Sequence, residues 1–318
     1  MLFSDLINRL TVKRNQELTL GISIESHALA ISLVKHIQGN APYHQFSTYR
    51  AIKTMDEMRY VLKRLVREYR LRGCSAHLVL PTHWYRVFQV VKPTTLDENL
   101  PVVLIKSVRQ FIDFPLTRAL LDYYELPPQY VKNCRGKINV VCSNLENVEP
   151  ITQWIQQAGL RLKVIDIPEL ACKNLMAFFS SISMKEATGW MYHNENRVIF
   201  AVYAQNQLLL VRTLSHIRNL QEVTDKISGE KTKKQLLHEL RKTLNDCRNQ
   251  LINIKIGAIY LQPLIVDVSE LCEFLTENLS IAVRSIDINT FFNNVEPLSA
   301  PTQYSCVKSL AIACRQYG

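Results

Sequence analysis

Leu18-Thr19-Leu20-Gly21-Ile22-Ser23-Ile24-Glu25-Ser26-His27-Ala28-Leu29-Ala30-Ile31-Ser32-Leu33-Val34 is the stretch that decides the fold. Two apolar, β-rich runs, Leu18 to Ile24 and Ala28 to Val34, flank a short polar turn, and a third, about Tyr43 to Arg50, follows Gly39-Asn40-Ala41-Pro42. Runs of this kind joined by short polar connections predict an antiparallel meander. Thr54-x-x-Glu57 is a capping-box signature ahead of the stripe Met55, Met58, Val61, Leu62, Leu65, Val66 and Tyr69, so a helix is expected up to Arg72-Gly73. A short strand, Ala76 to Leu80, follows and is stopped by Pro81.

From Thr82 to Ser143 the pattern changes to a strand (Trp84 to Val91), a helix (about Asp97 to Phe114) and two strands (Leu120 to Leu126, Lys137 to Cys142). Pro93, Pro115, Pro127 and Pro128 mark the joints, and the segment reads as an inserted subdomain at about 82–143. A helix from about Asn147 to Ala158, a strand from Leu160 to Ile167 and a helix from about Pro168 to Ile182 resume the first unit. The second half begins again with strands at Gly189 to His193, Arg197 to Ala204 and Gln207 to Leu214. A long helical region to about Ile252, a strand Ile256 to Gln262, a helix Ser269 to Leu279, a strand Ile281 to Asp287 and a helix at about 304–315 follow. With 82–143 set aside, each half reads strand-strand-strand-helix-strand-helix-strand-helix, a duplicated α/β unit. The expected organisation is an amphipathic segment at 1–15, a first domain at 16–185 carrying the insertion, and a second at 186–318 whose last helix packs back on the first.

The composition agrees with a two-domain globular chain: 318 residues, 47% hydrophobic and 21% charged. Nine glycines, with no two adjacent or separated by one residue, argue against any site built on a glycine-rich loop. Thirty-eight Lys and Arg against 28 Asp and Glu give +10, which favours nucleic acid, anionic lipid or an acidic protein face as partner. Eight cysteines without a C-x-x-C pair suit free thiols in a reducing compartment, and the start lacks the n-region and apolar core of a signal peptide. The longest uncharged run, Val198 to Val211, is too short and too polar to span a bilayer. A cytosolic location is expected.

A duplicated unit that opens with three strands and closes with crossover helices is the plan of the actin and sugar-kinase ATPases, the ribonuclease H-like βββαβαβα arrangement. Local sequence sharpens the comparison. Leu20-Gly21-Ile22-Ser23-Ile24-Glu25-Ser26, Tyr123-Tyr124-Glu125-Leu126, Ala158-Gly159-Leu160 leading into Val164-Ile165-Asp166-Ile167-Pro168-Glu169-Leu170-Ala171, and Leu210-Val211-Arg212 resemble the PilM-like pilus assembly proteins, and within them the MSHA pilus biogenesis branch. The resemblance covers nearly the whole chain. It implies a cytoplasmic, actin-like protein, peripheral to the inner membrane, that grips the cytoplasmic tail of a bitopic PilN-like partner (MshJ in the MSHA system) and works with the pilus motor ATPase. In that family the extra subdomain follows the fourth strand in the order strand-helix-strand-strand, as at 82–143 here, and the tail lies in a groove beside it.

Actin-like ATPases hold the phosphates between two hairpins that each carry Asp-x-Gly, where the Asp orients Mg and water and the Gly lets backbone amides approach. The first position here reads Ser23-Ile24-Glu25: serine supplies no carboxylate, and Glu25 sets a negative charge where a phosphate would sit, although Ser26 could donate to an anion. The second hairpin, at Tyr192-His193-Asn194, offers neither Asp nor Gly. The adenosine motif falls at Gln262-Pro263, where proline removes an amide. These departures predict a pseudo-ATPase with no catalytic residue and no cofactor. An ATPase or ATP sensor with a rebuilt pocket, and a nucleic-acid-binding protein, are the alternatives.

Other constellations add no chemistry. His77 and His83 flank a strand end, where capping or surface roles compete with a metal site, and no metal is expected. Trp84, Tyr85, Phe88, Phe111, Phe114, Tyr123 and Tyr124 flank the insertion as candidates for an apolar groove, and core packing explains most aromatics equally well. Leu2, Phe3, Leu6, Arg9, Lys13 and Arg14 describe a basic amphipathic helix, which packs on its own domain or docks on a membrane or partner. Arg59, Lys63, Arg64, Arg67, Arg70 and Arg72, with Lys231, Lys233 and Lys234, form either solvated helix faces or an anionic-surface contact.

Overall fold

The structure is a computed structural model, and it describes residues 18–25, 27–37, 42–92, 100–178, 186–194, 197–215, 217–224, 229–292 and 296–315. The opening meander forms as read. β1 (Leu18–Glu25) and β2 (Ala28–Lys35) pair antiparallel in one unbroken register, Leu18↔Lys35 to Glu25↔Ala28, and β3 (Tyr43–Ala51) continues the sheet. Helix α1 (Met55–Glu68) is started by Thr54, whose hydroxyl accepts from the Glu57 amide while the Glu57 carboxylate accepts from the Lys53 amide. β4 (Ser75–Val79) and β8 (Arg161–Asp166) then add in parallel, giving the order β3-β2-β1-β4-β8.

The second lobe repeats this plan. β9 (Glu186–Asn194), β10 (Arg197–Ala204) and β11 (Gln207–Leu214) form the meander, α5 (Gly229–Gln250) crosses over, and β12 (Lys255–Leu261), α6 (Ser269–Leu279) and β13 (Ala282–Ser285) complete the order β11-β10-β9-β12-β13. Two sheets with the same strand order and sense are what the repeated element order implied.

Between β4 and β8 lies the insertion: β5 (Tyr85–Val91), α2 (Leu100–Val108), β6 (Ala119–Tyr124) and β7 (Lys137–Asn144), an antiparallel sheet of order β5-β7-β6. β7 runs straight into α3 (Leu145–Gln157), because Asn144 ends the strand and caps the helix through the Glu146 amide. Within the described residues α2 is shorter than its apolar pattern suggested; it ends at Val108 and gives way to one 3₁₀ turn before Phe114-Pro115, where a residue ahead of proline is kept out of helical geometry.

The lobes are joined by α4 (Pro168–Met176) and the C-terminal α7 (Ala300–Ala313), which together with the inner face of the second sheet enclose Val34, Cys172, Trp190, Tyr192, Phe292 and Leu310. α7 begins four residues earlier than the 304–315 expected, since Ser299 caps it and Pro301 sits in the first turn, where a missing N–H costs nothing. It lies across the sheet of the first lobe at very close range. A Cβ on Gly21 would stand 1.8 Å from the Ser309 carbonyl oxygen, so only glycine lets β1 and α7 meet there. The contact is tied by Ser32 to Ser309 (2.8 Å), and the helix's last carbonyls are met by side chains, Ile312 by His77 (3.2 Å) and Ala313 by His36 (2.8 Å). Burial holds His77 neutral, its pKa pulled down to about 3.

Candidate functional site

The ends of β1 and β9, where an actin-like ATPase would hold phosphates, are spanned by α7. Glu25 meets Lys308, with Nζ 2.7 Å from the carboxylate, and the lysine side chain is 7% exposed. One turn earlier on the helix, the Tyr304 hydroxyl lies 3.1 Å from His193 Nδ1. Glu25 therefore does not present a bare negative charge, as its sequence position suggested; a helix from the far end of the chain neutralises it. Ser23 is buried, and among the described residues its hydroxyl has no hydrogen-bond partner. Tyr192 turns into the inter-lobe core, where burial pushes its phenol well above the usual range. Gln262 is buried, with its backbone N–H donating to the Met191 carbonyl at 2.9 Å, and Ser26 lies outside the described residues.

A second polar group is buried where the insertion meets α4. Glu169, in the first turn of α4, accepts a hydrogen bond from the Tyr85 hydroxyl at 2.6 Å, and its backbone carbonyl accepts from Tyr203 at 2.8 Å. Burial raises the Glu169 carboxyl and the Tyr85 bond works against that rise, so the acid is held where three segments converge. At the end of β8, Arg315 reaches Asp166 at 2.6 Å, yet burial outweighs the ion pair and pushes this carboxyl up to about 6.

The open surface of the site is the groove-side face of the insertion. Successive strand residues point to opposite faces, and the burial pattern sorts them. Phe88 and Val90 of β5 pack with Ile138, Val140 and Cys142 of β7 against Leu104 and Val108 of α2. Val87, Gln89, Lys137 and Asn139 occupy the other face and line a groove of about 670 Å³, closed on its far side by Leu208–Arg212 of β11. A second groove of about 370 Å³ runs along 124–129 past Leu170 and Lys173, and a small cavity of about 40 Å³ lies between Asp122 and Asp166. Tyr124 borders all three.

This sorting divides the aromatic candidates. Phe88 stacks on Phe111 at 5.1 Å, and Phe114 joins the same α2-side cluster, so these three lie away from the grooves. Trp84 packs against the first lobe's core, and Tyr85 is buried on Glu169. Tyr123 packs on the α2 side and borders only the smallest cavity, which leaves Tyr124 as the groove aromatic. Aromatic content alone could not separate the faces; strand parity does so once α2 is known to cover one of them. Lys308, Tyr304 and the β11 edge were missed, because a mostly buried helix gives no periodic signal and an edge is a property of the sheet.

On the outside, Arg59, Lys63, Arg64, Arg67, Arg70 and Arg72 are all exposed, and among the described residues one carboxylate, Glu68, reaches Arg64 at 4.0 Å. Lys233 is instead engaged by Glu230 and Glu270. Leu2, Phe3, Leu6, Arg9, Lys13 and Arg14 lie outside the described residues. Among the described residues no group of three or more His, Cys, Asp or Glu is placed to hold a metal, all eight cysteines are free, and no helix is long and apolar enough to cross a membrane.

A family model described as type IV pilus assembly protein PilM matches residues 42–230, more than half of the chain. No curated protein sequence matches. Among solved structures, the chain is similar to one from a PilM-PilN type IV pilus biogenesis complex, with a TM-score of 0.68 and 17% identity over 95% of this chain and 97% of that one. A Bacteroides thetaiotaomicron protein with an actin-like ATPase fold and unknown function gives a TM-score of 0.52 at 10% identity, covering 95% and 97%. The cytoplasmic domain of EpsL, an inner membrane component of the type II secretion system of Vibrio cholerae, gives 0.50 at 10% identity, covering 92% and 94%. These likenesses show an actin-like ATPase fold.

Proposed function

Because this chain belongs to the type IV pilus assembly protein PilM family, we propose that it is a non-catalytic scaffold that binds the cytoplasmic tail of a bitopic, PilN-like inner-membrane protein. In this reading the assembly is an MSHA-type pilus apparatus, the partner is MshJ-like, the pilus motor ATPase is a further contact, and the protein works in the cytoplasm at the membrane face. The exposed basic face of α1 suits an acidic leaflet, to which each such residue adds about 1 kcal/mol.

The observation that carries the proposal is the groove lined by Tyr124, Leu170 and Lys173 beside the insertion, in a chain whose fold follows that of a protein solved in a PilM-PilN complex. It is open and partly apolar, as an extended tail requires. The paired Glu25, the buried Tyr192 and the buried Gln262 support a fold used for recognition instead of hydrolysis. The test is capture of the full chain on an immobilised N-terminal cytoplasmic peptide of the PilN-like protein encoded with it. We expect retention, and at least tenfold weaker binding by Tyr124→Ala; a chain that passes through unretained refutes the proposal. For the nucleotide, ATP with magnesium is expected to leave the melting temperature unchanged, whereas a ligand at 100 times its Kd would add about 2.7 kcal/mol.

A further inference from the structure

We propose that the 670 Å³ groove between β11 and the insertion receives an extended, acidic segment of a partner protein, which adds as a sixth strand to the free edge of β11. The inference rests on sheet topology and charge and does not depend on the tail occupying the neighbouring groove at Tyr124 and Lys173.

β11 is the terminal strand of its sheet. It pairs with β10 from Gln207 to Leu214, and no strand among the described residues lies on its other side. Leu208, Leu209, Leu210, Val211 and Arg212 all border the groove. Neighbouring residues of a strand point to opposite faces, so a cavity touched by five in succession faces the strand's edge, where no strand among the described residues takes up the N–H and C=O groups. Such an edge is normally blunted by charge, proline or cover. Here the cover is the insertion, and it stands off.

The groove's volume leaves room for a short extended segment beside β11. Five strand residues extend about 17 Å.

Its charge selects the occupant. Lys132, Lys137 and Arg212 line the groove, and none has a carboxylate within ion-pair distance among the described residues. The Arg212 guanidinium donates instead to neutral oxygens, Gln250 at 2.9 Å and the Val211 carbonyl at 3.0 Å. The one carboxylate in the lining, Glu169, is buried and already engaged by Tyr85. The chain's own first 17 residues have the wrong sign, with Arg9, Lys13 and Arg14 against Asp5 and Glu17, and a second copy would bring +10. An acidic partner strand is the complement.

The test is selection of a displayed random-heptapeptide library on the full chain, followed by fluorescence anisotropy with the enriched peptides. The expected motif alternates acidic and β-branched residues. Lys132→Glu/Lys137→Glu, two surface changes, should weaken binding at least tenfold, and N-methylation of alternate peptide amides should abolish it. No enrichment, enrichment of neutral or basic sequences, binding indifferent to the charge reversal, or full tolerance of N-methylation at every position would each overturn the proposal. Saturating PilN-like tail peptide should leave the selected peptides bound, which separates this groove from its neighbour.

Discussion

Replacing Gly21 by alanine adds one methyl group at the closest backbone approach between β1 and α7. Its Cβ would lie 1.8 Å from the Ser309 carbonyl oxygen, 2.8 Å from the Ser309 carbonyl carbon and 3.0 Å from the Ala313 Cβ. Two of these neighbours are backbone, so no rotamer relieves the clash. The helix must recede by more than about 1 Å, and a gap of that size gives up a quarter to a half of each dispersion contact it opens. Val307, Leu310, Ala311 and Ile312 are buried along the helix, and the Ser32–Ser309 hydrogen bond would stretch with them. Overpacking at about 1–3 kcal/mol plus about 1 kcal/mol for the hydrogen bond gives an expected loss of roughly 2–4 kcal/mol. Gly73 is the control: its φ is +81° but a Cβ there meets nothing within 4 Å, so alanine should cost about 1 kcal/mol from backbone strain alone. Urea unfolding followed by far-UV circular dichroism measures both. If Gly21→Ala costs no more than Gly73→Ala, the inter-lobe contact is not as close as argued and the reasoning fails.

Tyr85→Phe removes the donor to a buried carboxylate and should cost about 1.5–3 kcal/mol by urea unfolding; a loss below about 0.5 kcal/mol would show that Glu169 has another adequate donor. Lys308→Met should destabilise through the Glu25 left behind, and adding Glu25→Gln should restore part of the loss; a double-mutant cycle without coupling would refute the pairing. The Asp166 carboxyl has a folded pKa of about 6 against an ordinary 3.8, so the folded state holds its proton more tightly. The stabilisation this brings is complete below about pH 4, on the order of 3 kcal/mol, and is lost as pH rises through 6. Asp166→Asn should therefore flatten the dependence of the urea midpoint on pH between 4 and 6; an unchanged slope would place the titration elsewhere.

The parts of the fold that could be read from the sequence are those set by local chemistry. Apolar, β-rich runs around Ser26-His27 gave the meander, Thr54 and Glu57 gave the start of α1, and prolines at 93, 115, 127 and 128 marked the joints within the insertion. What could not be read depends on partners remote in the chain. Gly21 is required by Ser309, and Glu25 is answered by Lys308, nearly 300 residues away. Glu169 stood within a quoted motif, but its burial comes from Tyr85 and Tyr203, which arrive from different lobes.

The same dependence explains why the groove candidates divided as they did. An aromatic in a strand reports that one face is covered, and it says nothing of which face remains open. In β5 the covered face took Phe88, and the open face took Val87 and Gln89, residues with little claim to attention in sequence. A groove built by standing two elements apart must be lined by residues modest enough not to collapse it, since large apolar side chains on both walls would close the gap to gain burial. Lys132, Lys137 and Arg212 line the gap, and closing it would bury charges that have no carboxylate partner among the described residues. The feature that hides the site from a search for aromatic residues is thus the one that keeps it open, and charge reversal at Lys132 and Lys137 probes that feature directly.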